Sequence, residues 1–169
     1  MSHADLSSEL ELLHGAAFGW ALSCCGWDRT VAEDVLQASY LKLLDGRARF
    51  EGRSSLRTFL FGVIARTARE VRRRAALGRW LPLAPLLLGA ADGRPDPAAM
   101  LVSDDETARL MRALARLPAR QRQILHLVFY EDLTIAEAAA VAGVSLGTAR
   151  THYERGKAAL RKLLEGDAE

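Results

Sequence analysis

The stretch from Leu133 to Lys157 constrains this chain more than any other, because it crowds a helix start, a stop and a restart into twenty-five residues. Thr134 stands three residues before Glu137, the spacing of a capping box, so a helix opens there. Ile135, Ala138, Ala139 and Ala142 then share one apolar face. Gly143 falls where a helix ends in the left-handed conformation that glycine adopts cheaply. Val144 follows as a plug between helices, and Ser145 is a strong N-cap for the next one. That second helix keeps Ala149, Tyr153, Gly156, Leu160 and Leu163 on one side. Its other side offers Thr148, Arg150, Thr151 and Arg155. The pattern predicts a helix-turn-helix whose second helix suits a DNA major groove. An ordinary helical hairpin with a solvated basic face is the competing reading.

The rest of the chain reads as helical too. A first helix is expected over about 6–25, with Leu10, Leu13, Ala17, Trp20, Ala21 and Cys24 inward and Gly26 ending it. Thr30 and Glu33 have capping-box spacing and open a helix to about Leu44. Asp45 and Gly46 begin a polar loop. Ser54 or Ser55 caps a long helix to about Arg74, with Leu56, Phe59, Leu60, Val63, Ile64 and Val71 as its buried stripe. From 77 to 103 Pro, Gly, Ala and Asp dissolve the pattern, apart from an apolar patch at Trp80–Leu88. Ser103 and Glu106 form a further capping box, and helices follow at about 104–116, 119–130, 135–142 and 146–164. The expectation is an all-α protein of two small helical domains, 1–76 and 104–169, joined by a flexible linker, 77–103.

Composition narrows the function classes. No apolar run approaches the ~20 residues that a membrane helix needs. The acidic, amphipathic start does not resemble a signal peptide. The only cysteines, Cys24 and Cys25, are neighbours, which rules out a disulfide framework and points to a reducing cytoplasm. His3, His14, His126 and His152 are scattered, so no metal cluster is expected, and neither a cofactor loop nor a catalytic set is found.

The net charge of +2 conceals a sharp division. Residues 1–46 carry −5, residues 47–80 carry +8, residues 81–105 carry −3 and the remainder +2. An acidic face beside an arginine block suggests two different partners for one domain. On the helix before Leu44, Glu33, Asp34, Gln37 and Leu41 form an outer stripe, opposite Val35, Ala38, Ser39 and Leu43. Acids with an apolar member suit a protein partner, since DNA would be repelled; a solvated acidic face is the alternative. On the long helix Arg66, Arg69 and Arg73 recur at i, i+3 and i+7 with Arg72 alongside, a row that bridges phosphates in any sequence. The preceding loop adds Arg47, Arg49, Phe50 and Arg53. Phe50 suits either stacking on a base, worth ~1–3 kcal/mol, or plugging the core.

Three blocks also carry a family resemblance. Ala32-Glu-Asp-Val-Leu-Gln37 with Tyr40-Leu-Lys-Leu-Leu44 resembles region 2.2 of the extracytoplasmic-function (ECF) sigma factors of bacterial RNA polymerase. Phe59-Leu-Phe-Gly-Val-Ile-Ala-Arg66, running into Arg72–Arg74, resembles the next segment of that domain. Leu117-Pro-Ala-Arg-Gln-Arg122, Ile124-Leu125 and the helix-turn-helix resemble region 4. The ordered set spans about residues 10–165. The resemblance implies that Glu33, Asp34, Gln37 and Leu41 grip the clamp helices of the polymerase largest subunit, with a further contact to the flap of the second-largest subunit. It implies that Arg47, Arg49, Phe50, Arg53, Arg66, Arg69, Arg72 and Arg73 hold the melted −10 strand. It implies −35 reading by Ser145, Thr148, Arg150, Thr151, His152 and Arg155, and control by an anti-sigma protein that places the chain in the cytoplasm or holds it at the membrane. Four positions depart from the family pattern: Phe59 replaces Trp, Thr67 replaces Asn, Glu70 replaces Asp and His152 replaces Arg. Two other function classes stay open here: a stand-alone helix-turn-helix regulator with a sensing domain, and an enzyme acting on nucleic acid. The first would need a ligand pocket, the second a catalytic set.

Overall fold

Asp28 begins the second helix of the first unit: its side chain accepts a hydrogen bond from Val31 N at 3.0 Å, and Arg29 follows as the first helical residue. The computed structural model describes residues 3–78 and 105–166, which fall in two compact units, one within Met1–Arg94 and one within Pro95–Glu169. Helices α1 (His3–Cys24), α2 (Arg29–Leu44) and α3 (Leu56–Gly78) build the first. Helices α4 (Asp105–Arg116), α5 (Ala119–Phe129), α6 (Ile135–Ala142) and α7 (Leu146–Gly166) build the second. Among the described residues there is no strand. The fold is all-α. The Trp80–Leu88 patch and the Ser103–Glu106 capping box fall wholly or partly outside the described residues.

In the first unit three helices pack pairwise around Trp20 and Phe61, both fully buried. Their rings lie 6.0 Å apart, and the Trp20 indole N–H donates to the Phe61 carbonyl at 3.0 Å. Leu10, Ala17, Val35, Leu36, Leu43, Leu60 and Ile64 complete the core. The expected box at Thr30 and Glu33 is not formed. Asp28 outcompetes Thr30 as N-cap, and Glu33 pairs instead with Arg29 at 2.9 Å. The link between α1 and α2 is tight, since Gly26 and Trp27 both take left-handed angles, φ +65° and +67°.

Helix α3 starts on Ser55, whose Oγ accepts from Thr58 N at 3.1 Å. It runs past Arg74 to Gly78, because Ala75, Ala76 and Leu77 contain no breaker; Leu77 and Gly78, expected in the linker, are helical. Its buried surface is broader than the expected stripe. Leu60, Val63 and Ile64 are buried as expected, whereas Leu56, Phe59 and Val71 are half-buried. Phe61, Ala65, Thr67 and Ala68 are buried as well, because α3 packs against α1 and α2 at once. Lys42 of α2 fastens the pair, donating to Thr67 Oγ1 at 3.0 Å and to Glu70 Oε2 at 2.7 Å. This hydrogen bond holds the Glu70 carboxyl below its ordinary value against the opposing effect of burial, with help from the charges of Lys42, Arg74 and Arg66.

The second unit follows its local signals closely. Thr134 Oγ1 accepts from Glu137 N at 3.2 Å while Thr134 N donates to Glu137 Oε2 at 2.8 Å, completing the capping box. Gly143 ends α6 at φ +67°. Ser145 Oγ accepts from Thr148 N at 3.1 Å and caps α7. The buried Arg122 guanidinium donates to the carbonyls of Ala115 and Leu117 at 3.3 and 3.2 Å, closing the end of α4. Arg120 donates to Ala142 O at 3.1 Å, closing the end of α6. Helices α5 and α7 approach closely at Gly156, where a Cβ would stand 3.1 Å from a Leu125 methyl.

Two outcomes follow from the first unit. Trp20→Phe, which removes the indole N–H and part of the ring, lowers unfolding stability by ~1–3 kcal/mol in urea titrations. Glu70 has a depressed pKa in the folded state, so its contribution is present above pH 4.5 and lost as pH falls through the lower folded value. Thermal melts of Glu70→Gln across acidic pH should therefore fall less steeply than those of the parent, with the two curves parallel near neutrality.

Candidate functional site

Two faces of opposite character occupy the first unit. On α2 a turn of about 100° per residue places Asp34, Gln37 and Leu41 opposite the buried Val35, Ser39 and Leu43. All three are exposed, Leu41 by 53%, and Glu33 lies beside them, exposed and tied to Arg29. The expected outer stripe is thus assembled as one ridge. A leucine half in water between acids and an amide is an anchor that another helix can cover.

The arginines lie on α3 and on the loop before it. Arg66 and Arg73 are exposed one above the other, and Arg69 between them is half-buried, its Nε donating to Ala65 O at 3.3 Å. Arg72 is exposed but sits around the helix toward α1, where its charge opposes the burial that raises the Cys25 thiol to about 11. Cys25 is therefore protonated and unreactive at neutral pH, and Cys24 is buried. In the loop Arg49 is exposed, while Arg47 pairs with Asp45 at 2.6 Å and Arg53 with Glu51 at 2.8 Å. Both pairs are solvent-exposed and weak, so either arginine is available to a phosphate. Phe50 is half-buried, its ring centred 5.4 Å from Phe59. Phe59, expected to be buried, is half-buried and lies against Phe50 with its ring tilted. Thr67 and Glu70, two of the departures, face Lys42 and serve the α2–α3 contact.

On α7 Ser145, Thr148, Arg150, Thr151 and Arg155 are exposed. The hydroxyls are partly engaged: Ser145 and Thr148 bond each other at 2.8 Å, and Thr151 donates to Gly147 O at 3.0 Å. Arg150 and Arg155 are the long groups left to reach outward. His152 stands off this row, half-buried, with its Nδ1 shielded and without a hydrogen-bond partner. Lys42, Arg120 and Arg122 were missed in the sequence as organising residues, because their partners lie across helix boundaries and no spacing rule reports them. Glu154, exposed between Arg150 and Arg155, was legible from the same helical register as its neighbours.

Among the described residues no group of His, Cys, Asp and Glu is gathered to hold a metal, and no helix is long and apolar enough to cross a membrane. An open pocket of about 410 Å³ lies on the first unit, lined by Ser7, Leu10, Glu11, His14, Tyr40 and Leu44. Within it His14 Nδ1 and the Tyr40 hydroxyl lie 3.2 Å apart.

Comparison with known proteins agrees with this geometry. Residues 10–77 match the model of Sigma-70 region 2, and residues 113–162 match that of Sigma-70, region 4. The chain is 33% identical over 133 residues to the ECF RNA polymerase sigma factor SigF of Caulobacter vibrioides, covering 79% of this chain and 69% of that one. It is 27% identical over 167 residues to the RNA polymerase sigma factor CnrH of Cupriavidus metallidurans, covering 95% and 87%. Among solved structures, the sigma factor RpoE in complex with the anti-sigma factor NepR from Bartonella quintana superposes with a TM-score of 0.72 at 25% identity, covering 95% of this chain and 97% of that chain. With an acid-and-leucine ridge, an arginine row and a capped helix-turn-helix in the order of regions 2 and 4, the chain belongs to the ECF RNA polymerase sigma factors, the subunits that give core polymerase its promoter specificity.

Proposed function

We propose that the two units divide promoter recognition as their surfaces suggest. The α2 ridge of Glu33, Asp34, Gln37 and Leu41 docks on the clamp helices of core polymerase. The loop and α3, through Arg47, Arg49, Phe50, Arg53, Arg66, Arg69, Arg72 and Arg73, hold the melted −10 strand. Phosphates bridge the arginines, and Phe50, supported by Phe59 at 5.4 Å, offers its free face to an unpaired base. Helix α7 reads the −35 duplex with Arg150, Thr151 and Arg155, while Ser145 and Thr148 set its first turn against the backbone. His152 supports the helix from its flank. The second unit also meets the flap of the second-largest subunit. The units of this division are 1–78, two residues longer than the expected 1–76 because α3 ends at Gly78, and 104–169. The protein works as a binding subunit in the cytoplasm. The observation that carries this reading is the separation of an acidic, apolar-anchored ridge on α2 from an arginine row on α3 within one three-helix unit.

Such a subunit is active whenever it meets core polymerase, so its control falls to a protein inhibitor. The RpoE neighbour was solved with an anti-sigma factor, which supports the same class of partner here, one covering the α2 ridge and α7. An inhibitor of this kind, soluble or membrane-held, keeps the sigma factor from core polymerase until a signal removes it.

The test of the whole is transcription: purified protein added to core polymerase should start RNA chains at a discrete set of genomic sites. Replacing Asp34 and Gln37 together by alanine should weaken co-migration with core polymerase and leave helical content unchanged; undiminished association removes the ridge from the interface. Arg150→Ala should cost ~1–3 kcal/mol and relax preference at one −35 position. An equal loss on every −35 variant makes Arg150 a backbone anchor instead.

A further inference from the structure

Helix α7 carries an acid on the side that its neighbours would present to DNA. Ala149 and Gly156 mark its buried side. At about 100° per residue, Thr151 and Glu154 then fall near the centre of the opposite side, with Arg150 and Arg155 flanking them at similar angles. The Glu154 side chain is 68% exposed. Eight residues beyond Leu146 it lies about 12 Å along the helix, within the span of a major groove about 12 Å wide.

The carboxylate also has a cation beside it. Lys157 Nζ lies 3.1 Å from Glu154 Oε1 and 4.3 Å from the Tyr153 ring centroid, and Tyr153 stacks on Phe129 at 5.8 Å. The chain Phe129–Tyr153–Lys157 therefore seats the ammonium on the scaffold, where it lies beside the exposed carboxylate and biases its position weakly. A carboxylate facing DNA is repelled by phosphates and by the acceptor edges of guanine and thymine. Only the exocyclic amines of the major groove, cytosine N4 and adenine N6, donate to it.

We propose that Glu154 is a specificity-determining residue that accepts a hydrogen bond from an exocyclic amine of one −35 base and excludes guanine and thymine from that position on the contacted strand. Lys157 is its positioning residue. The proposal rests on the assignment of α7 as the −35 reader and adds to it the chemistry of one base contact.

The experiment is selective transcription by the reconstituted holoenzyme from a promoter library randomised in the −35 element. The parent should demand cytosine or adenine at one position. Glu154→Ala should raise the use of guanine and thymine there by about 5- to 140-fold and leave the other positions unchanged. Glu154→Gln should shift that position toward adenine, whose N6 and N7 match an amide. Lys157→Ala should keep the same preferred base with weaker discrimination. A Glu154→Ala profile that is unchanged, or that improves all promoters equally, overturns the proposal and makes the acid a solvated one. If Arg150→Ala relaxes its own position while Glu154→Ala moves none, only this inference fails. If the parent holoenzyme selects no −35 sequence, the assignment of α7 fails and takes this proposal with it.

Discussion

The contact of Trp20 with Phe61 is what the first unit is built around. The indole packs between α1 and α3, and its N–H reaches a carbonyl in the second turn of α3 at 3.0 Å. A hydrogen bond inside a core is directional, whereas apolar burial is not. It therefore fixes how α3 is rotated about its own axis. That rotation decides which residues of α3 are left outside, and Arg66 and Arg73 are among them. The presentation of the arginine row is thus a consequence of packing some distance away from it.

Electrostatics then explains why the two faces of this unit need to be separate. Exposed like charges a few ångströms apart repel weakly in water and are screened beyond about 8 Å at physiological salt. A row of arginines is tolerable in the free protein and becomes favourable once phosphates are bridged. An acidic ridge on the same surface would cancel that gain. The fold keeps Glu33 and Asp34 on α2 and directs the remaining acid of α3, Glu70, onto Lys42. Lys42 in turn satisfies Thr67, so one ammonium both neutralises a carboxylate that would weaken the arginine field and ties α2 to α3.

The second unit solves a different problem, that of presenting one helix rigidly. Its devices are helix ends. Thr134 and Glu137 close the start of α6, Gly143 and Arg120 its end, Ser145 the start of α7, and Arg122 the end of α4. Each satisfies backbone groups that would otherwise need water. The close approach of α5 and α7 at Gly156 completes the clamp. A recognition helix gains from such stiffness, because ordering it on DNA would otherwise consume binding energy.

Much of this was legible in the chain itself, and the reason is range. Capping bonds run over three residues, so Thr134, Gly143 and Ser145 announced both ends of α6 and the start of α7 where the structure has them, whereas α7 runs two residues past the expected 164, to Gly166. The amphipathic registers of α2 and α7 likewise placed Asp34, Gln37, Leu41, Arg150 and Arg155 outside. Where two local signals competed, at Asp28 and Thr30, spacing alone chose the wrong one, because a capping box can be spelled where a better cap precedes it. Tertiary structure decided the rest. Phe61 is buried and Phe59 only half-buried because α3 has two neighbours rather than one, and a single stripe cannot describe two contacts. Thr67 and Glu70 stood out only as departures from a pattern until Lys42, more than twenty residues earlier, was seen to reach both. His152, set among the −35 readers by resemblance, stands off their row for the same kind of reason. The sequence determines what each helix offers around its circumference, since that depends on neighbours within a turn; which arc is covered depends on partners that only the folded chain brings near.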